Sequence, residues 1–302
     1  MRLFGKTNID FMGKRKTWYV VSATVIAIGI MSVVFKGFHF GIDFKGGTEL
    51  VVEFERSVPI GEVRDAMERA GFARAEIKTF GASNLILIRT IEQAEGAIIA
   101  DRIKTGLSNY FSGIRQRVVK EDRIGPKIGA ELRRDAVYAV IAALILILGY
   151  IGLRFKFVYG MGAVAATFHD VLVTLGMISI LDGISPFLNL EIDQNMIAAF
   201  LTLVGLSVND TVVIFDRIRE NLKIYRSLTL LEVINRSLND TLSRTIITSG
   251  TVFVVLAILF LFGGEVNRGF AFAMLVGVVT GTYSSIYIAS ALVIEWASRI
   301  KK

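Results

Sequence analysis

Apolar runs of membrane-spanning length alternate with short charged segments along most of this chain, and one long mixed stretch interrupts them. Residues 1–17 are polar and basic, carrying Arg2, Lys6, Lys14, Arg15 and Lys16. An apolar run follows to about Phe35. A bilayer core asks for about 20 apolar residues in helical form, so this run predicts a first span over 18–35. Trp18 and Tyr19 suit its interface. A cleaved secretory signal opens the same way, but no small-x-small site precedes Lys36, so an uncleaved helix is the reading adopted. Five more apolar runs predict spans over 134–153, 157–181, 195–215, 246–262 and 268–296.

Residues 36–133 have mixed charge and shorter periods. Gly46-Gly47 reads as a turn between two extended pieces, and Leu50–Phe54 as a strand. Ile60–Ala70 and Ala94–Tyr110 repeat an amphipathic helical pattern. Ala75–Phe80 and Leu85–Arg89 are strand candidates joined by a GASN turn, and Arg115–Val119 is a last strand. The order β-α-β-β-α-β is that of a ferredoxin-like split βαβ domain, whose sheet buries one face under two helices. Gly125-Pro126 ends it, and a connector leads into the second span. The expected fold is an α-helical polytopic membrane protein of six spans, with one α/β domain between helices 1 and 2.

Charge then sets the orientation. With the amino terminus inside, basic segments fall inside at 1–17, 154–156, 216–244 and 297–302, while the loop 182–193 has no Lys or Arg. That is the positive-inside pattern, and a long domain crosses largely regardless of its charge. In a bacterial inner membrane both termini are then cytoplasmic and the α/β domain periplasmic. Tyr225–Asp240 alternates apolar and polar residues and fits either a helix lying on the cytoplasmic membrane surface or one packed on loop residues.

The chain is 302 residues with a formal charge of +7, but that excess sits beside apolar runs, which argues against nucleic acid. It has no cysteine, and its two histidines, His39 and His169, are too scattered for a metal centre. Neither a Walker lysine nor HExxH nor GxSxG occurs. Asp43 and Glu49 lack a flanking nucleophile set. These absences predict no enzyme, no cofactor and no metal, with energy drawn from a gradient or a partner.

The candidate chemistry lies in GLSVNDTVVIFDRIREN, Gly205–Asn221. An ionisable residue at membrane depth marks a pathway, a relay or an interhelical pair. Asp210 is therefore either a proton-coupling carboxylate or a structural polar clamp. Ser207 and Thr211 are expected on its face, with Asn209 adjacent. Arg244 at the inner edge of the fifth span is either its partner or a positive-inside anchor, with Thr248 and Thr251 continuing the strip. His169 and Asp170, preceded by Thr167, lie midway in the third span; adjacent helical positions diverge, so they need not serve one path. The charges of DRIRE read as an interfacial stop. Gly277 and Gly281, with Gly269, Gly160 and Gly162, suit close helix packing.

Four ordered segments, GIDFKGGTEL, GLSVNDTVVIFDRIREN, EVINRSLNDTLSRTIITS and GGEVNRGFAFAMLVGVVTGTYSSIYIAS, together resemble the bacterial SecF family. These are the smaller protein-export membrane subunits of the SecD/SecF group, in the resistance-nodulation-division (RND) superfamily. The resemblance covers essentially the whole chain. It implies an RND-type bundle that pairs with SecD and uses the proton-motive force to assist preproteins after the SecA–SecYEG stage. Asp210 then resembles the family's intramembrane relay aspartate and Arg244 the charged residue accompanying it. Implied partners are SecD, the SecYEG translocon, YajC and YidC, besides unfolded preprotein, protons and membrane lipid. Two other functions stand beside it: a proton-coupled exporter of small molecules or lipids, and a structural scaffold indifferent to Asp210→Asn.

Overall fold

The computed structural model describes residues 7–92, 98–155, 157–185, 188 and 190–300. The expected basic residues Arg2, Lys6, Lys156, Lys301 and Lys302, and the predicted helical positions 94–97, lie outside them. Two compact units emerge: one of 39–138 and 183–194, the other of the remaining helices.

In the first unit, α2 (Ile42–Lys45) precedes β1 (Gly47–Phe54), α3 (Ile60–Arg69), β2 (Glu76–Phe80), β3 (Ala82–Thr90), α4 (Ile98–Tyr110) and β4 (Gln116–Ile124). The sheet order is β2-β3-β1-β4 with every pairing antiparallel, the predicted split βαβ arrangement. Leu50, Val52 and Phe54 alternate onto the face covered by α3 and α4, where Val63, Met67, Ile103 and Leu107 complete the core. The extended piece expected before Gly46 is instead the single helical turn α2. Gly46 and Gly47 then take φ of 73° and 130°, and a Cβ on Gly47 would stand 2.3 Å from the Thr90 carbonyl oxygen. Only glycine suits such backbone.

The other face of this sheet is not left open. Leu190, Glu191 and Ile192 return to it, Glu191 reaching Arg89 of β3 and Ile192 bonding His39 and Gly41 at 2.8 and 2.9 Å. Leu190 and Ile192 are buried there. A loop predicted only from its lack of basic residues is thus part of the α/β unit.

The second unit holds α1 (Arg15–Lys36), the later part of α5 (Pro126–Arg154), α6 (Phe157–Leu181), α7 (Gln194–Ile224) and α8 (Leu230–Phe262). It closes with α9 (Gly264–Ser284), a π turn (Ser285–Ala289) and α10 (Ser290–Ile300). Six helices among the described residues are long and apolar enough to cross a membrane. The third, fourth and sixth are central, and α1, α5 and α8 turn apolar side chains such as Val34, Leu146 and Phe262 outward.

At 1.5 Å per residue, the 33 residues of α8 reach about 50 Å, well beyond a hydrocarbon core of about 30 Å. Its amino-terminal part is the segment expected to lie on the membrane surface or against a loop. Instead it is continuous with the fifth span in one helix, started by a Thr229–Glu232 capping box. It packs against α7: Asn221 Nδ2 donates to Ser237 Oγ at 2.9 Å, and Arg217 pairs with Asp240 at 2.7 Å. Trp18 stacks on Tyr283 and Tyr287, at centroid distances of 5.4 and 4.7 Å.

Candidate functional site

The middle of α7 carries polar groups on two sides. On one, Asp210 Oδ2 accepts a hydrogen bond of 3.0 Å from Ser249 Oγ of α8. Around it Leu206, Ser207, Asn209, Thr248, Val278 and Gly281 help to line a cavity of about 20 Å³. That space holds about one water. Asp210 is half-buried; Asn209, Thr248 and Arg244 are exposed. Arg244 forms no ion pair with Asp210 among the described residues, although its charge acts on that carboxylate through space.

On the other side Ser207 and Thr211 point into the bundle. Ser207 Oγ donates to Asp170 Oδ2 of α6 at 2.5 Å, and Thr211 Oγ1 meets Ser285 Oγ at 2.8 Å. The single polar face expected for Ser207, Asp210 and Thr211 is therefore divided. Residues three or four apart are neighbours, but here they straddle the boundary between two interhelical grooves. Ser207 alone touches both sides, through its bond to Asp170 and its place in the cavity wall. Thr251 is exposed and donates to the Thr248 carbonyl at 2.8 Å, so the strip from Arg244 ends at Thr248 and Ser249.

Asp170 has no exposed surface. It accepts from Ser207 and from Ser284 of α9 at 2.8 Å, and its Oδ1 lies 3.0 Å from His169 Nδ1. Adjacent positions that the helical repeat separates are joined here because the His169 ring folds back on its neighbour. His169 Nε2 continues to the Tyr283 hydroxyl at 2.9 Å. Thr167 only donates to the Ala163 carbonyl of its own helix, at 3.0 Å. Sequence reasoning had no hold on Ser249, Tyr283, Ser284 or Ser22, because uncharged hydroxyls in spans are common and their partners come from other helices.

At the DRIRE segment, Arg217 pairs with Glu220 of its own helix at 2.7 Å and also reaches Asp240 of α8. Asp216 pairs with Arg154 at 3.6 Å. Just beyond, Asn235 Oδ1 accepts from the Phe11 and Met12 amides at 2.8 and 3.3 Å. Asn239 both donates to and accepts from the Ile9 backbone, at 2.9 and 2.8 Å.

In the α/β unit, Glu49 belongs to a buried ion network, not to a carboxylate pair. Arg89 reaches Glu49 at 2.6 Å, Glu191 at 2.7 Å and Glu76 at 3.3 Å, and Lys78 also pairs with Glu191. Burial works against each charge, but the attraction prevails. The Arg89 guanidinium is held above its usual range by Glu191 and Glu49, and the Glu191 carboxyl below its own by Arg89 and Lys78. Asp43 accepts from the Gln194 amide at 2.9 Å.

Comparison with known proteins follows this architecture. The family model for the C-terminal part of protein export membrane proteins SecD/SecF matches residues 103–299, and that for the SecD/SecF GG motif matches residues 32–58. The chain is 47% identical over 299 residues to the protein translocase subunit SecF of Rhodothermus marinus, covering 99% of this chain and 96% of that one. It is 42% identical to the same subunit of Thermodesulfovibrio yellowstonii, covering 97% and 96%. The crystal structure of SecDF, a translocon-associated membrane protein from Thermus thermophilus, superposes with a TM-score of 0.84 at 38% identity. That match covers 97% of this chain and 39% of SecDF, so the chain spans about two fifths of the longer protein. SecDF in its super-membrane-facing form gives 0.72 at 37% identity, over 100% and 40% of the two chains.

Proposed function

The chain belongs to the SecD/SecF family of protein-export membrane proteins, and from that premise we propose that it loads and releases protons at Asp210 to assist preprotein export. It works as the SecF-type half of a pair with SecD in the bacterial inner membrane. Both termini are cytoplasmic and the α/β domain is periplasmic, an orientation supported by the basic segments beside the spans. The pair acts with the SecYEG translocon on unfolded preprotein, with YajC and YidC as further associates.

One observation carries the assignment. Asp210 sits mid-helix on a small cavity of mixed polar and apolar lining, bonded by a neutral hydroxyl and by no cation among the described residues. A carboxylate so placed changes charge in response to small movements of a nearby cation. Arg244, exposed on the neighbouring helix, supplies that cation when the helices shift, and a SecD helix completes the cavity. Asp210, Arg244, Ser249 and Thr248 are the working groups, with Asn209 at the rim.

The test is gradient-driven export by vesicles carrying the SecD complex of Asp210→Asn. The amide keeps the shape and the Ser249 hydrogen bond but cannot exchange a proton at this depth. The stimulation contributed by the proton gradient should vanish while co-purification with SecD persists. Full stimulation in that variant would refute the assignment and leave a scaffold.

A further inference from the structure

We propose that His169 and Asp170 form a second proton-holding site, joined to the Asp210 cavity through Ser207 and to α1 through Tyr283 and Ser22. The inference rests on the reading of Asp210 as a proton-loading group. It adds an interior branch made wholly of this chain's own residues.

Few groups face the wholly buried Asp170. His169 comes from its own helix, Ser207 from α7 and Ser284 from α9, at the distances already given. Its only ion-pair candidate among the described residues is His169. Beyond His169, the Tyr283 hydroxyl lies 3.4 Å from Ser22 Oγ of α1. A lone buried charge is costly, so the couple is stable when it carries one proton and is net neutral.

The couple loses a proton toward α1 and regains one from the Asp210 cavity. With imidazolium against carboxylate, Nδ1–H donates to Asp170, Nε2–H to the Tyr283 oxygen, and Tyr283 O–H to Ser22 Oγ. When the proton leaves toward α1, the Nε2–H bond breaks, a new Tyr283 O–H bond forms, the original Tyr283 proton passes to Ser22 Oγ, and Ser22 gives its own hydroxyl proton to a water that carries it off as hydronium. Nδ1–H still donates to Asp170, and Tyr283 now donates to Nε2. Every hydrogen bond is satisfied before and after, as a relay requires. On the other side Ser207 Oγ gives its proton to Asp170 Oδ2 and takes one from water in the Asp210 cavity, whose wall Ser207 helps to form, and that water takes the proton released by the Asp210 carboxyl. Directly after Tyr283 and Ser284 the helix widens into the π turn of Ser285–Ala289, a distortion frequent at functional sites.

The experiment uses the complex with SecD, labelled with nitrogen-15 histidine. The signal lost in His169→Gln is that of His169, followed against pH by magnetic resonance. His169 should change protonation over the pH range in which gradient-driven export rises. Tyr283→Phe, which keeps the ring on Trp18, should move that titration and lower gradient-driven export at least about tenfold, with the complex assembled at parental level. A merely structural role would leave gradient-driven export at the parental level even though the lost hydrogen bond moves the titration. If Asp210→Asn retains full stimulation, the relay reading fails and this branch falls with it. If Asp210→Asn is inactive while His169 keeps one protonation state and Tyr283→Phe exports like the parent, this inference alone is overturned.

Discussion

Ser207 and Asp210 stand three residues apart on α7 yet bond to different helices, Ser207 to Asp170 of α6 at 2.5 Å and Asp210 to Ser249 of α8 at 3.0 Å. The same turn of helix thus ties the bundle interior to an outer groove. A rotation or slide of α7 changes both bonds together, which is how movement in one place becomes a change of charge environment in another.

Ser249 is the test of the outer bond. Ser249→Ala removes the one hydroxyl donated to Asp210 and leaves the carboxylate to water in the cavity. Gradient-driven export should fall severalfold, and Ser249→Thr, which restores a hydroxyl, should recover most of it. The cost in stability should be about 1 kcal/mol, small enough for the complex to assemble. Export by Ser249→Ala at the parental rate would mean that cavity water alone positions the carboxylate.

Much of this was legible in the residues. Six spans and the split βαβ order follow from apolar run length and from alternation, signals that act locally. Asp210 is visible because a charge amid apolar residues is costly wherever the helix packs. Pairings across helices left less trace. Ser207 and Thr211 have the spacing of Asp210's face, and only the three-dimensional groove shows that they turn inward. The amphipathic pattern of Tyr225–Asp240 is the same for a helix on a membrane and for one on another helix. Its burial of Val233, Ile234 and Leu238 decides for the second. Residues 183–194 carry no periodic signal, and their docking depends on Arg89, about a hundred positions earlier.

That docking is sensitive to acid. Glu191 has a carboxyl held below its ordinary value, so its contribution is fully present above the unfolded value, about 4.3. It is lost as pH falls through the lower folded value. Protection of the Leu190, Glu191 and Ile192 amides, taken relative to the intrinsic exchange rate at each pH, should therefore be high at neutral pH and fall on acidification below about pH 4. Glu191→Gln should exchange faster at neutral pH and lose this acid dependence. Arg89→Ala should be worse, by about 3–5 kcal/mol, because it removes the buried cation that Glu49 and Glu191 share and leaves them only the more exposed Lys120 and Lys78.

Helix contact between α1 and α6 depends on two glycines. A Cβ on Gly29 would stand 2.8 Å from Gly176 Cα, closer than side chains approach backbone. Beside this crossing Ser32 and Ser179 share a hydrogen bond of 2.9 Å. Gly29→Leu should part the helices, break that bond and cost about 1–3 kcal/mol by overpacking, read as a lower midpoint of thermal unfolding in detergent. An unchanged midpoint would show that α1 slides aside without loss.

Asn235 and Asn239 hold the segment before α1 by its backbone, so the sequence of that segment matters less than the two side chains. Phe11 and Met12 are buried once it is docked. Arg15 adds a 3.1 Å ion pair to Glu295 of α10, which ties the amino-terminal part of α8 to α10 through this strap. Asn235→Ala withdraws the acceptor for two amides, and leaving buried amides unmet costs about 1–3 kcal/mol. Proteolysis within residues 7–14 should rise in Asn235→Ala and rise further in the double variant with Asn239→Ala. Asn239→Asp should be intermediate, since it keeps the acceptor for the Ile9 amide but loses the donor to the Ile9 carbonyl. Equal proteolysis in all of these would show that Phe11 and Met12 dock by apolar contact alone.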